Sequence, residues 1–448
     1  MTLLPARLPV TCAVLALALV GAALAAADPA VPSAAAGASG SATAPAPMPL
    51  LIKPGDHVAI CGDSITEQRI YSRYIAEYLL ACSGVPDLDV AQFGWSGETA
   101  QGFALRLDKS LAWYKPTVAT MLYGMNDGRY IAFSDDAGNV YRDNMGKCLD
   151  SLKGLGARSV LVSSPGAVDT TSFNRPCGPS QYNDTLNHLG NLGEEVAKAH
   201  GQTFVDTHQD MVSAMFKAKN VLGQTFLVCG KDGVHPDNDG HLVMMASLLE
   251  GLGCDGAIAR VQISPDGKAE VGDGHTVVAS SANGAASVTV DLESRRWPFV
   301  LGAEGKTPQN LRSIAPFIDF TTRLDRFIVI MPACPWTKAR LTWGDQTVTV
   351  DGAQLRFGVN LMDLFSATPF DKQADALDQA VGRLQAFETS FVKGVLNYNG
   401  GEIDADPQSK ALFDQLIARQ IALRNEKFAG VKALLVPVRH RIVVAKAD

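Results

Sequence analysis

Between residues 55 and 252, short apolar or β-branched runs (HVAIC, LDVAQF, TVATMLY, SVLVSS and TFVDT) alternate with longer stretches of helical periodicity. Alternation of this kind predicts an α/β domain, in which a central parallel sheet carries helices on both faces. The helical stretches are TEQRIYSRYIAEYLLAC, TAQGFALRLDKSLAWY, YRDNMGKCLDSLKGLG and SQYNDTLNHLGNLGEEVAKAH. In the first, Ile70, Tyr74, Tyr78 and Cys82 recur at four-residue steps and give one stripe to bury against the sheet. Ligands of such a sheet bind at the carboxyl ends of its strands, near the point where strand order reverses, and the search for chemistry starts there.

The rest of the chain divides by composition. Residues 1–27 combine one Arg, an apolar run and small residues of the Ala-x-Ala type, the pattern of a secretory signal peptide; a membrane anchor is the competing reading of the same run. Residues 28–50 are rich in Ala, Pro and Ser and read as a flexible tether. The α/β domain covers 51–254. From 255 to 365 alternating segments such as ARVQI, ASVTVDL, RFIVIM and KARLTW, separated by Gly, Asp and Pro turns, predict a small antiparallel β module. Residues 366–448 read as a helical region and tail, with Asp406 as cap and Pro407 in the first turn of the second helix. The expected location is secreted or periplasmic, with no stable membrane span once the signal is cleaved.

A net charge of -7 argues against nucleic acid as a partner, because phosphate binding needs a basic surface. Beyond Cys12 there are seven cysteines; export permits disulfides, and the odd number leaves at least one thiol free. None forms a C-x-x-C pair, which speaks against structural zinc. Cys61 reads as a small buried hydrophobe. The DNDG segment imitates a calcium loop, but its first position would be His235 and its twelfth Ala246, where a bidentate Glu is required. GAEGKT carries Val300 where a phosphate loop needs its first Gly, and there is no Gly-x-Ser-x-Gly elbow.

Ser64, in AICGDSITEQ, follows the first strand and has two readings, helix cap or nucleophile. Gly94 in QFGWSGET follows the second strand and Asn126 in YGMNDGRY the third. A hydroxyl, a backbone N–H without a side chain and an amide donor thus converge on one crevice. The segment KDGVHPDNDGH supplies Asp232 and His235 three residues apart, close enough for the carboxylate to hold one ring nitrogen while the other takes the Ser64 proton. Serine needs that help near neutral pH. Asp63 and Asp127 are read as supports of their loops, His241 as a supporting or capping residue, and Trp95, Arg129 and Tyr130 as candidate pocket walls.

GDSI with Ser64, the second-strand Gly94, GMND with Asn126, and DGVH with Asp232 and His235 together resemble the four blocks of the SGNH/GDSL hydrolases, over about 200 residues. The resemblance implies a flavodoxin-like three-layer sandwich and a serine esterase or acylhydrolase without metal or organic cofactor. It further implies Ser64 as nucleophile, His235 as base, Asp232 as its orienter, and Ser64, Gly94 and Asn126 as the oxyanion hole. Gln92 departs from the pattern, since many members carry Asn there. The expected substrate is a small-molecule or polysaccharide ester, with sugar O-acetyl groups preferred; a lipid or short-chain acyl esterase, an acyltransferase, or a cell-surface binding protein with a vestigial core are the alternatives.

Overall fold

The strands of the α/β domain form where residues can be buried on both sides at once. In the computed structural model, which describes residues 48–302, 311–398 and 401–447 (backbone alone for Glu402), five strands make one sheet. They are β1 (His57–Gly62), β2 (Asp89–Gln92), β3 (Val118–Leu122), β4 (Ser159–Ser163) and β5 (Thr203–Val205), in the order β2-β1-β3-β4-β5 with every pair parallel. This is the flavodoxin-like order, with its reversal at β1. The period of two sorts side chains into two apolar layers. Val58, Ile60, Val118 and Leu122 enter one, and Ala59, Cys61, Ala119 and Met121 the other.

The helices that cover these layers are α1 (Ser64–Glu67), α2 (Tyr71–Glu77), α3 (Ala100–Leu111), α4 (Asp135–Gly154), α5 (Pro179–Ala199), α6 (Thr207–Leu222) and α7 (Asn238–Gly251). Phe103 and Leu107 of α3 and Met145 and Leu149 of α4 fill the layer lined by the small residues, while α2, α6 and α7 cover the other. Of the predicted stripe, Tyr74, Tyr78 and Cys82 are buried and Ile70 partly so, α2 widening into a π turn over Tyr78–Cys82.

Two further sheets follow. One, in the order β13-β10-β6-β7, contains β6 (Ala257–Ile263), β7 (Ala269–Val271), β10 (Arg326–Ile330) and β13 (Val359–Asn360). The other, in the order β12-β11-β14-β9-β8, contains β8 (His275–Asn283), β9 (Ser287–Ser294), β11 (Lys338–Trp343), β12 (Gln346–Asp351) and β14 (Val438–Lys446). Two expectations are corrected here. The module is not wholly antiparallel, because β10 lies parallel to β6: a long crossover, not a hairpin, joins them. The terminal stretch is also not a tail. In β14, Val438, His440, Ile442 and Val444 are buried between exposed Arg439 and Arg441, and the strand fills the centre of its sheet between β9 and β11.

Helices α8 (Asp371–Phe391) and α9 (Pro407–Lys432) cross back to the α/β domain. Asp406 caps α9 by accepting the Ser409 N–H at 2.8 Å. They cover the edge strand β2, whose free side would otherwise expose unpaired backbone groups. Arg424 meets both oxygens of Asp89 at 2.6 Å and Glu388 at 2.9 Å, and Glu388 in turn accepts the Gln92 N–H at 3.2 Å. Residues 48 onward belong to one contact unit. The signal-peptide reading of 1–27, and the tether up to residue 47, lie outside the described residues. Among the described residues no helix is long and apolar enough to cross a membrane. Cys61, Cys82, Cys148, Cys177, Cys229, Cys254 and Cys334 are all free thiols, and burial pushes that of Cys61 up to about 12.

Candidate active site

Asp63, not Ser64, is the helix cap: its Oδ1 accepts the Ile65 N–H at 3.0 Å. Ser64 becomes the first residue of α1, where a backbone N–H has no acceptor within the helix. Its hydroxyl is left for another partner. Ser64 Oγ lies 2.9 Å from His235 Nε2, and His235 Nδ1 lies 2.7 Å from Asp232 Oδ2. A carboxylate only accepts, so Nδ1 carries the hydrogen and Nε2 is the acceptor that faces the Ser64 hydroxyl.

The turn around Asp232 makes this arrangement rigid. Asp232 Oδ1 accepts the N–H groups of Val234 and His235, each at 2.9 Å. Gly233 has φ +75°, and a Cβ there would stand 2.3 Å from the Phe173 backbone, so only glycine closes the turn. Burial would raise the Asp232 carboxyl, but the bonds from His235 and Val234 outweigh it and hold the group below its usual range. A permanent carboxylate behind the imidazole favours the imidazolium that forms when the ring takes a proton.

The structure brings Gly94 to the same place but does not leave its N–H open. A Cβ on Gly94 would lie 2.4 Å from the Glu67 nitrogen, so the loop packs directly on α1 as only glycine allows. The N–H itself donates to Gln92 Oε1 at 2.9 Å. The expectation of three open donors is therefore corrected, and the cause is the residue that departs from the family pattern. Asn126 Nδ2 donates one hydrogen to the Glu98 carbonyl at 3.0 Å and keeps a second; its Oδ1 accepts the Tyr130 hydroxyl at 3.4 Å. The Ser64 N–H and that second amide hydrogen are the donors an oxyanion would find.

Asp63 and Asp127 sit behind the site. Burial raises each carboxyl to about 7, against the backbone N–H of Ile65 in one case and of Ala100 in the other. One oxygen of each is buried without a hydrogen-bond partner, the state of a group that prefers to keep its proton. His241 is enclosed, with Nε2 3.1 Å from Gln68 Oε1 and its ring stacked on Tyr71; burial, and then the nearby His235, lower it to about 3. Arg129 and Tyr130 hold left-handed φ of 53° and 57°, and the Tyr130 ring lies under the Arg175 guanidinium at 5.2 Å.

Two parts were not anticipated from the residues. Glu98 and Arg106, buried and paired at 2.6 Å, brace the Gly94 loop through the Phe93 carbonyl, which Arg106 reaches at 2.8 Å. The Glu-Thr-start of a helix with Arg eight residues on was the available signal. Contacts from α8, nearly 300 residues away along the chain, had none.

Residues 60–243 match the family model described as GDSL-like lipase/acylhydrolase. No curated protein matches the chain significantly. Among solved structures, a gut microbial diltiazem-metabolizing enzyme is similar at 20% identity and a TM-score of 0.71, covering 88% of this chain and 98% of its own. Axe2, an acetylxylan esterase from Geobacillus stearothermophilus, matches at 20% identity with a TM-score of 0.37, over 45% of this chain and 96% of its own. The first of these likenesses concerns fold. The family match, with the parallel sheet and the Ser-His-Asp geometry at its carboxyl end, gives the conclusion that residues 60–243 form a GDSL-like lipase/acylhydrolase domain and that the chain is a serine ester hydrolase.

Proposed function

We propose that the protein cleaves carboxylic O-esters through a covalent acyl intermediate on Ser64, and that its substrates are O-acetyl groups on exported or extracellular carbohydrate. The observation that carries the catalytic part is the unbroken chain from Ser64 Oγ through His235 to Asp232. His235 Nε2 takes the hydroxyl proton as Oγ adds to the ester carbonyl. The negative charge that develops on the carbonyl oxygen is met by the Ser64 N–H and the second Asn126 hydrogen, each donor contributing about 3 kcal/mol to lowering the barrier. Collapse breaks the C–O bond to the alcohol, which leaves with the proton from His235. Water then repeats the sequence on the acyl-enzyme, releasing the acid and restoring Ser64.

Support for a carbohydrate alcohol comes from the groups beside the site. The partly exposed Tyr130 beside Asn126 and Trp95 beside Gly94, with exposed Arg129 and Arg175, line the site with polar tips and cationic hydrogen-bond donors, which suit a hydroxylated ring better than an acyl chain. Export is supported by the signal-like pattern of residues 1–27. The test is a panel of p-nitrophenyl esters of increasing acyl length together with acetylated polysaccharides, each with Ser64→Ala as control. Acetate release from polysaccharide, with acyl chains longer than about four carbons turned over far more slowly, is expected. A preference for long acyl chains would replace the carbohydrate reading with a lipid one.

A further inference from the structure

We propose that α8 and the turn that follows it are a positioning element of the active site, acting through Gln92 and Glu67 on the two segments that carry Gly94 and Ser64. The inference rests on the serine-hydrolase reading above and adds to it residues that lie outside the family match. Gln385, Glu388, Thr389 and Lys393 are spaced so that they share one helical face. That face contacts both loops.

At the first loop, Gln92 Nε2 donates to the Gln385 carbonyl at 3.2 Å and to Thr389 Oγ1 at 2.5 Å. Two acceptors on α8 fix the amide nitrogen toward the helix. The amide oxygen must therefore face the other way, and there it receives the Gly94 N–H at 2.9 Å. The helix thus sets which end of the amide meets the Gly94 N–H. At the second loop, Lys393 Nζ lies 2.7 and 3.0 Å from the two oxygens of Glu67, the last residue of α1. The same carboxylate accepts the Ser96 N–H, and the ammonium stands 4.9 Å from the centre of the Trp95 ring. Burial would raise Glu67, but Lys393 and Ser96 hold it below its usual range, so this carboxylate is charged at neutral pH. One ion pair therefore ties the helix of Ser64, the loop of Gly94 and the C-terminal helices to each other.

Small displacements of reacting groups carry large kinetic costs, which is why a brace behind them matters. Lys393 is the useful probe because its side chain is 31% exposed and the Glu67 carboxylate it leaves, 17% exposed, keeps the Ser96 N–H as a partner. Lys393→Ala should lower kcat on a short acyl ester roughly tenfold. KM should stay within about twofold, and the melting temperature within about 2 °C. Lys393→Arg should recover most of the loss. The double variant Glu67→Gln with Lys393→Ala should be no slower than the worse of the two singles, because both remove one interaction. Arg439→Ala, which breaks an exposed pair with Glu293 in the second β-sheet, serves as the unchanged control. A parental kcat in Lys393→Ala, or a loss that follows the melting temperature and is not recovered by Arg, overturns the inference while the hydrolase reading stands. Absence of turnover in the parental protein overturns both.

Discussion

Ser64 and Ser294 are each hydrogen-bonded to histidine at nearly the same distances, yet the two regions are built for opposite ends. Ser64 Oγ is 2.9 Å from His235 Nε2; Ser294 Oγ is 2.9 Å from His440 Nε2 and 2.8 Å from His275 Nδ1. The difference lies in what the far nitrogen of each ring meets. His235 Nδ1 meets a carboxylate, and its side chain is 34% exposed, so the ring can take a proton and a substrate can reach it. His440 Nδ1 accepts the Trp343 indole N–H at 3.1 Å, which places the His440 hydrogen on Nε2, toward Ser294. The Ser294 hydrogen must then go to His275 Nδ1, and His275 Nε2 donates to the Ile258 carbonyl at 3.0 Å. Every N–H and O–H hydrogen in that chain is donated, and burial lowers His275 and takes His440 to about 3. The chain of Trp343, His440, Ser294, His275 and Ile258 joins β11, β14, β9, β8 and β6 and works as a clasp across the two C-terminal sheets. A short Ser–His distance is therefore no mark of catalysis by itself. A carboxylate behind the ring and an open path in front of it are.

The largest test of the contrast is Asp232→Asn. It keeps the geometry but removes the charge and the tautomer control, and kcat on a short acyl ester should fall by roughly 10³- to 10⁴-fold. Ser294→Ala should leave kcat within about twofold. The second test reverses the ranking: in urea unfolding, Ser294→Ala should cost about 1–3 kcal/mol because two buried ring nitrogens lose their partner. Asp232→Asn, half-exposed, should cost less. If Ser294→Ala lowered activity without lowering stability, the two regions would have been assigned the wrong way round.

A third test concerns pH. Asp63 keeps its proton in the folded state up to about 7, whereas the unfolded chain releases it at about 3.9. Between those values the folded state binds more protons, so the contribution of this group to stability falls as pH rises through the window and is level above it. Asp63→Asn keeps an acceptor for the Ile65 N–H and removes the titration. The variant should gain on the parental protein as pH climbs from about 4 to about 7 in urea unfolding. A difference that does not change with pH would mean that Asp63 is not the group that titrates.

How much of this could be read in the residues differs between the same two regions. The α/β domain announced itself because both its order and its chemistry are local. Strand, turn and helix follow one another within about 30 residues, and Ser64, Gly94, Asn126 and the Asp232–His235 pair each sit where a strand or loop hands over to the next element. The terminal strand β14 did alternate between buried and exposed residues, but its partners β9 and β11 lie far back in the chain, and periodicity says nothing of pairing at that separation. The parallel direction of β6 and β10 was hidden for the same reason. At the site, Gln92 was visible as a departure, yet its consequence for the Gly94 N–H depends on acceptors from Gln385 and Thr389 that only the folded chain supplies. The clasp around Ser294 had no local signature at all, since its five members come from five strands.

The most direct measurement is covalent labelling with a fluorophosphonate ester followed by peptide mapping by mass spectrometry, on the parental protein and on His235→Ala. The account predicts a single modification, on Ser64, that is lost when the imidazole is removed, with the Ser294 peptide unmodified in both. Labelling of Ser294, or ester turnover that continues with Ser64 unmodified, would contradict it.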